Sequence, residues 1–204
     1  MISQLQYISQ SPHLENIAAA CDAGCNWIQL RVKNKPLPEV ASLAEEARRI
    51  CEGYNATLII NDHPQIAAQV NAHGVHVGQE DMSVAAARQI AGNGRLVGGT
   101  ANTFDQIRVH AENLATYVGV GPFRFTATKE RLSPILGLEG YKQILAAMKE
   151  AQINLPLIAI GGLTLEDIPD LVAAGVHGIA VSGLITNAAD RAATVKKIYQ
   201  LLNA

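Results

Sequence analysis

Positive charge is not in surplus in this chain: Lys plus Arg number 16 against 18 Asp plus Glu, a net charge of −2. That balance excludes the broad basic field by which a protein gathers nucleic acid or an anionic membrane. Any phosphate recognition must come from cations placed locally. Long apolar runs are missing as well, and no stretch approaches the roughly 20 residues that a bilayer requires. The opening MISQLQYISQ carries no basic region followed by a long apolar run, so no secretory leader is expected. Cysteine is sparse, with Cys21, Cys25 and Cys51 the whole complement. Cys21 and Cys25 stand four apart near an expected helix end, but no second Cys/His pair at zinc spacing follows. All three read as small buried hydrophobes, and an odd, sparse count fits a reducing cytoplasm. A glycine-rich turn after the first strand is missing too. The sequence there runs SQSPHLEN, which argues against a dinucleotide-binding open sheet.

What is present is apolar residues at 49% and charged residues at 17% over 204 residues. That length suits one sizeable core, and that apolar share suits a sheet buried on both faces. Short runs rich in Val, Ile and Leu recur, each followed by a polar or glycine-rich turn. They predict strands at Leu5–Ile8, Trp27–Leu30, Thr57–Ile60, Gly74–Val77, Leu96–Gly98, Tyr117–Val120, Leu157–Ile160 and Gly178–Val181. Helices are predicted between them, over 13–23, 37–52, 64–71, 83–91, 103–113, 139–150, 165–174 and 188–202. Pro36, Pro64 and Pro169 fall in or near first turns, where a missing N–H costs nothing. Ser83, Thr103 and Thr164 are expected N-caps, and Gly24, Gly53 and Gly175 are expected left-handed helix ends. Eight strand–helix units in this length predict an α/β fold, a (β/α)8 TIM barrel forming a single domain over 1–204. A doubly wound open sheet is the alternative. The one long connection, 121–138, holds Arg124, Lys129 and Arg131.

In such a barrel the active site lies at the C-terminal ends of the strands. Asp62 follows strand three and Asp81 follows strand four. Parallel strands bring both carboxylates to one rim, an arrangement suited to Mg2+ with substrate phosphates on its remaining positions. Taken alone, Asp81 would read as a turn or cap residue. Gln29, Arg31 and Lys33 alternate along and beyond strand two, so they project to one face. If that face is the mouth, two cations and an amide converge on a diphosphate. Lys35 and Glu80 read as surface charges, and Asn61 joins Asp62 at the end of strand three. His73 and His76 face opposite sides and read as packing or backbone-bonded groups rather than a metal pair. Thr100 after strand five offers a hydroxyl, with Asn102 a secondary candidate contact. Thr126, Thr128 and Lys129 on the long connection supply two hydroxyls and a cation. Gly161 and Gly162 after strand seven, with Ser182 and Gly183 after strand eight, expose backbone amides where this fold commonly binds phosphate. Two anion sites point to two phosphorylated substrates joined at the centre. With no nucleophile–base pair in view, group transfer with an activated leaving group fits better than covalent catalysis.

Together these residues resemble the thiamine-phosphate synthase family. The resemblance rests on QLRVK (29–33), NDH (61–63), GVHVGQED (74–81), GVGPFRFTATK (119–129), AIGG (159–162) and VSGLI (181–185), spread along the whole barrel in the family's order. It implies a transferase of thiamine biosynthesis that condenses hydroxymethylpyrimidine diphosphate with hydroxyethylthiazole phosphate, with Mg2+ as cofactor. Carried over residue by residue, it implies that Gln29, Arg31, Lys33, Asn61 and Lys129 hold the diphosphate, with Arg31, Lys33 and Lys129 acting catalytically. It further implies that Asp62 and Asp81 bind Mg2+, and that Thr126, Thr128, Gly162 and Ser182 line the thiazole phosphate site. Thr100 stands where serine is typical. The partners it implies are small phosphorylated molecules, with no nucleic acid, no membrane and a homodimer like related barrels. Three positions depart from the pattern: His63 replaces an arginine, Asn102 stands where histidine is frequent, and the long connection reads FRFTATK. Arg124 is expected to restore the charge lost at His63. The thiazole tautomerase branch of the same superfamily, or a non-catalytic binder of thiazole or thiamine phosphate, is the alternative. A pentose-phosphate epimerase is disfavoured because paired metal-binding histidines at strand ends are missing.

Overall fold

The computed structural model describes residues 2–125 and 134–204. Its strands are β1 (Leu5–Ile8), β2 (Trp27–Leu30), β3 (Thr57–Asn61), β4 (Gly74–Val77), β5 (Leu96–Ala101), β6 (Tyr117–Val120), β7 (Leu157–Ile160) and β8 (Gly178–Val181). They are parallel throughout and close into a barrel in sequence order, with β8 pairing back onto β1. Between them run α1 (His13–Asp22), α2 (Leu37–Gly53), α3 (Pro64–Gln69), α4 (Val84–Ala91), α5 (Phe104–Glu112), α6 (Gly137–Glu150), α7 (Ile168–Ala174), α8 (Gly183–Thr186) and α9 (Arg191–Leu202). The predicted (β/α)8 barrel is therefore the observed fold.

The strand alternation sorts side chains into two layers. Leu58, Ile60, Val75, Val77, Val118 and Val120 pack outward against the helices. Ile8, Trp27, Ile59, Tyr117, Ile158 and Ala180 fill the interior. Trp27 meets Tyr117 edge-on, with ring centroids 4.9 Å apart. Room for these rings comes from Gly98, where a Cβ would lie 2.2 Å from Tyr117 Cζ and 2.6 Å from His76 Nδ1.

Several predicted boundaries move, each for a local reason. β5 runs on to Ala101 because its ladder with β6 continues through Ala101 opposite Val120. The turn at 165–167 is a 3-10 helix leading into α7, with Thr164 and Asp167 exchanging capping bonds. The predicted helix over 188–202 begins at Arg191, because the Asp190 carboxylate accepts the Ala193 N–H at 2.9 Å and caps it there. The short α8 precedes it. Gly53 does not end α2 in a left-handed conformation; it lies within the helix, and Asn55 takes that conformation at φ 53°. Asparagine tolerates this region better than most residues. Gly24 and Gly175 do adopt it, each at φ 103°. Ser83 and Thr103 cap α4 and α5 as expected.

The three cysteines are free and buried. Burial raises the Cys25 thiol to about 12, which keeps it protonated. No described helix is long and apolar enough to cross a membrane.

Candidate active site

At the mouth, the parity predicted for β2 holds. Gln29 is 2% exposed and inward-facing. The Arg31 N–H donates to Ser9 Oγ at 3.1 Å, which fixes the strand end against β1. Beyond it, Lys33 Nζ pairs with the Asp62 carboxylate, the lysine side chain 46% exposed and the aspartate 11%. Asn61 ends β3, opposite His76 of β4. The next residue, Asp62, turns to φ 64° while its N–H donates to the His76 carbonyl at 2.8 Å. That turn returns its carboxylate towards the β4 loop. There Asp81 accepts the Gly78 N–H at 2.8 Å and meets Asp62 side chain to side chain.

The electrostatics of this pair are asymmetric. Burial, then the neighbouring Asp81 carboxyl, raise the Asp62 pKa above the ordinary carboxylate value, against the opposing pull of Lys33. Burial pushes Asp81 up too, but bonds from Asp62 and the Gly78 N–H and the charges of Lys33 and His63 outweigh it and hold Asp81 low. A proton or a cation relieves the repulsion between two carboxyls this close. Among the described residues, no group of three or more His, Cys, Asp or Glu side chains is arranged to hold a metal ion. A two-carboxylate donor set fits Mg2+, which keeps several waters and takes substrate phosphates, better than it fits zinc.

Across the mouth a cavity of about 320 Å3 runs from Ile8, Gln10 and Arg31 to Gly161, Gly162, Ser182, Gly183 and Asn187. Arg31 faces the same cavity as the β7 and β8 loops, so the two groups of residues expected to bind anions stand closer together than the sequence suggested. Gly161 and Gly162 have φ 100° and 68°. A Cβ on Gly162 would lie 2.5 Å from Arg124 Cγ and 2.8 Å from the Phe125 carbonyl. These glycines therefore admit the neighbouring loop as well as exposing backbone. Ser182 Oγ donates to the Ile8 carbonyl at 2.7 Å, so its proton is committed within the barrel.

Other predicted residues fall elsewhere. Arg124 does not stand in for the cation lost at His63. It forks onto both oxygens of Asp167 at 2.6 and 2.7 Å and onto the Gly162 carbonyl at 2.8 Å, on the β7 side. His63 itself lies close enough to help hold Asp81 low. Thr100 is 9% exposed, with its hydroxyl 3.0 Å from His76 Nε2; His76 Nδ1 is 3.1 Å from the Tyr117 hydroxyl. Burial pushes that tyrosine up, against the Gln6 and Gln29 amides. The buried Gln29 amide nitrogen has no hydrogen-bond partner among the described residues. His73 accepts the Leu58 N–H at 3.0 Å, a backbone role as expected. Lys35 pairs with Glu39 on the surface, and Glu80 is exposed. Thr126, Thr128, Lys129 and Arg131 lie outside the described residues. Sequence reasoning missed Gln10 and Asn187, which sit in no motif, and Asp167 and Gln106. The last two carried a signal: each is the fourth residue of a Thr-x-x-Asp/Gln capping pattern.

A closed parallel barrel with paired carboxylates and a lysine on its C-terminal rim, and a glycine-lined cavity after β7 and β8, places this chain among the (β/α)8 barrel enzymes. Residues 1–185 match the TMP-TENI family, described as thiamine monophosphate synthase. The chain belongs to this family. It is 50% identical to the thiamine-phosphate synthase of Flavobacterium johnsoniae, covering 100% of this chain and 98% of that one. With that of Phocaeicola vulgatus it shares 48% identity over 97% of each. Thiamine phosphate pyrophosphorylase from Pyrococcus furiosus superposes with a TM-score of 0.85 at 26% identity, covering 98% of this chain and 95% of that one. A 3-hexulose-6-phosphate synthase shares the fold at a TM-score of 0.70 and 20% identity, over 98% of this chain and 100% of the other.

Proposed function

We propose that this enzyme is a thiamine-phosphate synthase, a transferase that joins hydroxymethylpyrimidine diphosphate to hydroxyethylthiazole phosphate and releases pyrophosphate. The observation that carries the reading is the meeting of Lys33, Asp62 and Asp81 on one rim beside the Arg31 cavity. Asp62 and Asp81 would hold Mg2+, which when bound neutralises charge on the diphosphate oxygens. Arg31 and Lys33, with Lys129 from the long connection, hold the diphosphate and stabilise it as it departs. Gln29 supports the same placement. Its buried amide N–H groups need an acceptor, and a pyrimidine ring nitrogen supplies one. Asn61 beside it adds a second amide at the inner end of the site.

The bond between the pyrimidine methylene carbon and the diphosphate oxygen breaks, and its electron pair leaves with pyrophosphate. The cation so formed is attacked by the thiazole nitrogen lone pair, forming the new C–N bond. Gly161, Gly162, Ser182 and Gly183, with Thr126 and Thr128, would hold the thiazole phosphate across the cavity. Thr100, its hydroxyl fixed by His76, lines the pyrimidine side. The balanced overall charge and the buried free thiols support small phosphorylated partners and a reducing, cytoplasmic setting.

The test is pyrophosphate release by the purified protein with each substrate alone and with both, with and without Mg2+. Release should require both substrates and the metal. Thiazole phosphate binding without any release would replace this reading with a tautomerase or a ligand-binding protein.

A further inference from the structure

The connection after β6 leaves the barrel at Gly121, and its return is described from Pro134. Asn102, 6% exposed just beyond β5, reaches both points. Its side-chain nitrogen donates to the Gly121 carbonyl at 3.0 Å and to the Pro134 carbonyl at 2.9 Å. The two hydrogens of one amide are thus spent on the two feet of one connection. The Asn102 main chain is itself fixed, because its N–H donates to Gln106 Oε1 at 2.7 Å. The same oxygen accepts Gln79 Nε2 at 2.8 Å, and Gln79 lies two residues before Asp81. A continuous run of hydrogen bonds therefore joins the carboxylate loop to both feet.

Other bonds hold the feet, but in other directions. Leu136 and Gly137 donate to the Pro122 and Phe123 carbonyls at 3.0 and 2.9 Å, tying the feet to each other. Phe123 and Arg124 donate to the Ile160 and Gly161 carbonyls at 2.9 and 3.1 Å, tying them to β7. Gly121 also reaches β5 through its own N–H, 3.2 Å from the Ala101 carbonyl. Pro134 has no N–H to give, so its link to the β5 side depends on a donor reaching its carbonyl, and Asn102 is that donor.

We propose that Asn102 is a positioning residue. It sets where the connection carrying Thr126, Thr128 and Lys129 leaves and rejoins the barrel, and through Gln106 and Gln79 it ties that placement to the Asp62–Asp81 rim. The kinetic half of this inference rests on the function proposed above, in which those three residues hold substrate.

The experiment compares full-length Asn102→Asp, Asn102→Ala and Asn102→His with the unaltered chain. Aspartate keeps the shape but has no donor, and it sets a carboxylate against two carbonyls. Histidine keeps one N–H. Three quantities are measured: the melting temperature, the rate of tryptic cleavage after Arg124, Lys129 and Arg131, and KM and kcat for each substrate. The expected result for Asn102→Ala is several-fold faster cleavage between the feet with a melting temperature lower by only a few degrees; Asn102→Asp, with its buried carboxylate facing two carbonyls, should be cleaved faster still and melt lower. KM for the thiazole phosphate should rise about tenfold, the effect of one to two lost hydrogen bonds, and Asn102→His should recover part of it. Unchanged cleavage and unchanged KM in Asn102→Asp would overturn the proposal. So would an activity loss that only tracks a fall in melting temperature. Absence of synthase turnover in the unaltered protein would refute the proposed function instead, and the cleavage rates would still decide whether Asn102 holds the feet.

Discussion

Asp62 occupies its place through a backbone conformation that most side chains avoid. At φ 64° it ends β3 by turning its carboxylate towards Asp81 rather than continuing along the strand. Aspartate and asparagine enter this region at lower cost than other non-glycine residues, so Asp62→Asn keeps the turn while removing the charge. That variant should lose Mg2+-dependent turnover by roughly 100-fold or more, because a metal contribution of several kcal/mol is lost. Its circular dichroism should stay native. Near-normal turnover at ordinary Mg2+ would refute the metal role.

The same carboxyl carries a pH dependence whose sign follows from its raised pKa. Between the ordinary carboxylate value of 3.8 and the raised value, the folded chain holds a proton that the unfolded chain has lost. Metal-free stability therefore falls as pH rises through that window, and the penalty is complete above it. Under the proposed function, Mg2+ would compete for the same site as the proton. The rise in melting temperature on adding Mg2+ should thus be largest near neutrality and shrink as pH falls through the raised value. A metal effect that is flat across that range would mean that Asp62 is not a ligand.

Elements show the same economy, with one side chain serving two roles. Asp167 accepts the Thr164 N–H at 2.7 Å at the start of the turn into α7, and it takes the Arg124 fork. Burial pushes its carboxyl up, but Arg124 first, and then the Thr164 bonds, outweigh this and hold it below the ordinary 3.8. Its contribution is present above that value and is lost as pH falls through the lowered one. Arg124 is 44% exposed, which limits the ion pair by solvent screening. Asp167→Ala should cost about 1–2 kcal/mol at neutral pH, most of it the lost cap. The difference from the parent in urea unfolding should narrow in acid; a difference that persists there would assign the effect to packing instead. Such elements are partly legible in sequence. The strands could be read because each is a short β-branched or leucine run bounded by turn residues. The rim at Asp62 and Asp81 could be read because strand parity and parallel order alone bring those ends together. The four-residue α8 could not, because its apolar GLIT continues the β8 pattern. Nor could the fates of two hydroxyls: Thr100 meets a histidine 24 residues away and Ser182 a carbonyl 174 residues away. The first pairing is set by the register of β4 against β5 and the second by closure of β8 onto β1, neither of which a local pattern encodes.

At the scale of the whole molecule, the barrel depends on absent side chains as much as on present ones. Tyr117 and His76 fill the interior because Gly98 leaves them space, and their rings lie 5.5 Å apart, centroid to centroid. A methyl group at Gly98 would overlap the Tyr117 ring at Cζ and Cε1 and press on His76 Nδ1, in a core with little freedom to relax. Gly98→Ala should destabilise by about 1–3 kcal/mol, the usual range for overpacking. The partner change Tyr117→Leu should also destabilise, since it forfeits the contact with Trp27. Together they should cost less than their sum, because the leucine has no ring for the new methyl to strike. A coupling smaller than about 0.5 kcal/mol in a double-mutant cycle would mean that Tyr117 is not what demands the glycine. The consequence extends to the mouth. His76 is held between Tyr117 and Thr100, so a ring displaced by Gly98→Ala takes the Thr100 hydroxyl with it. Under the proposed reaction, that variant should raise KM for the pyrimidine diphosphate, and relieving the overlap with Tyr117→Leu should not restore it, because the leucine also removes the hydroxyl that holds His76.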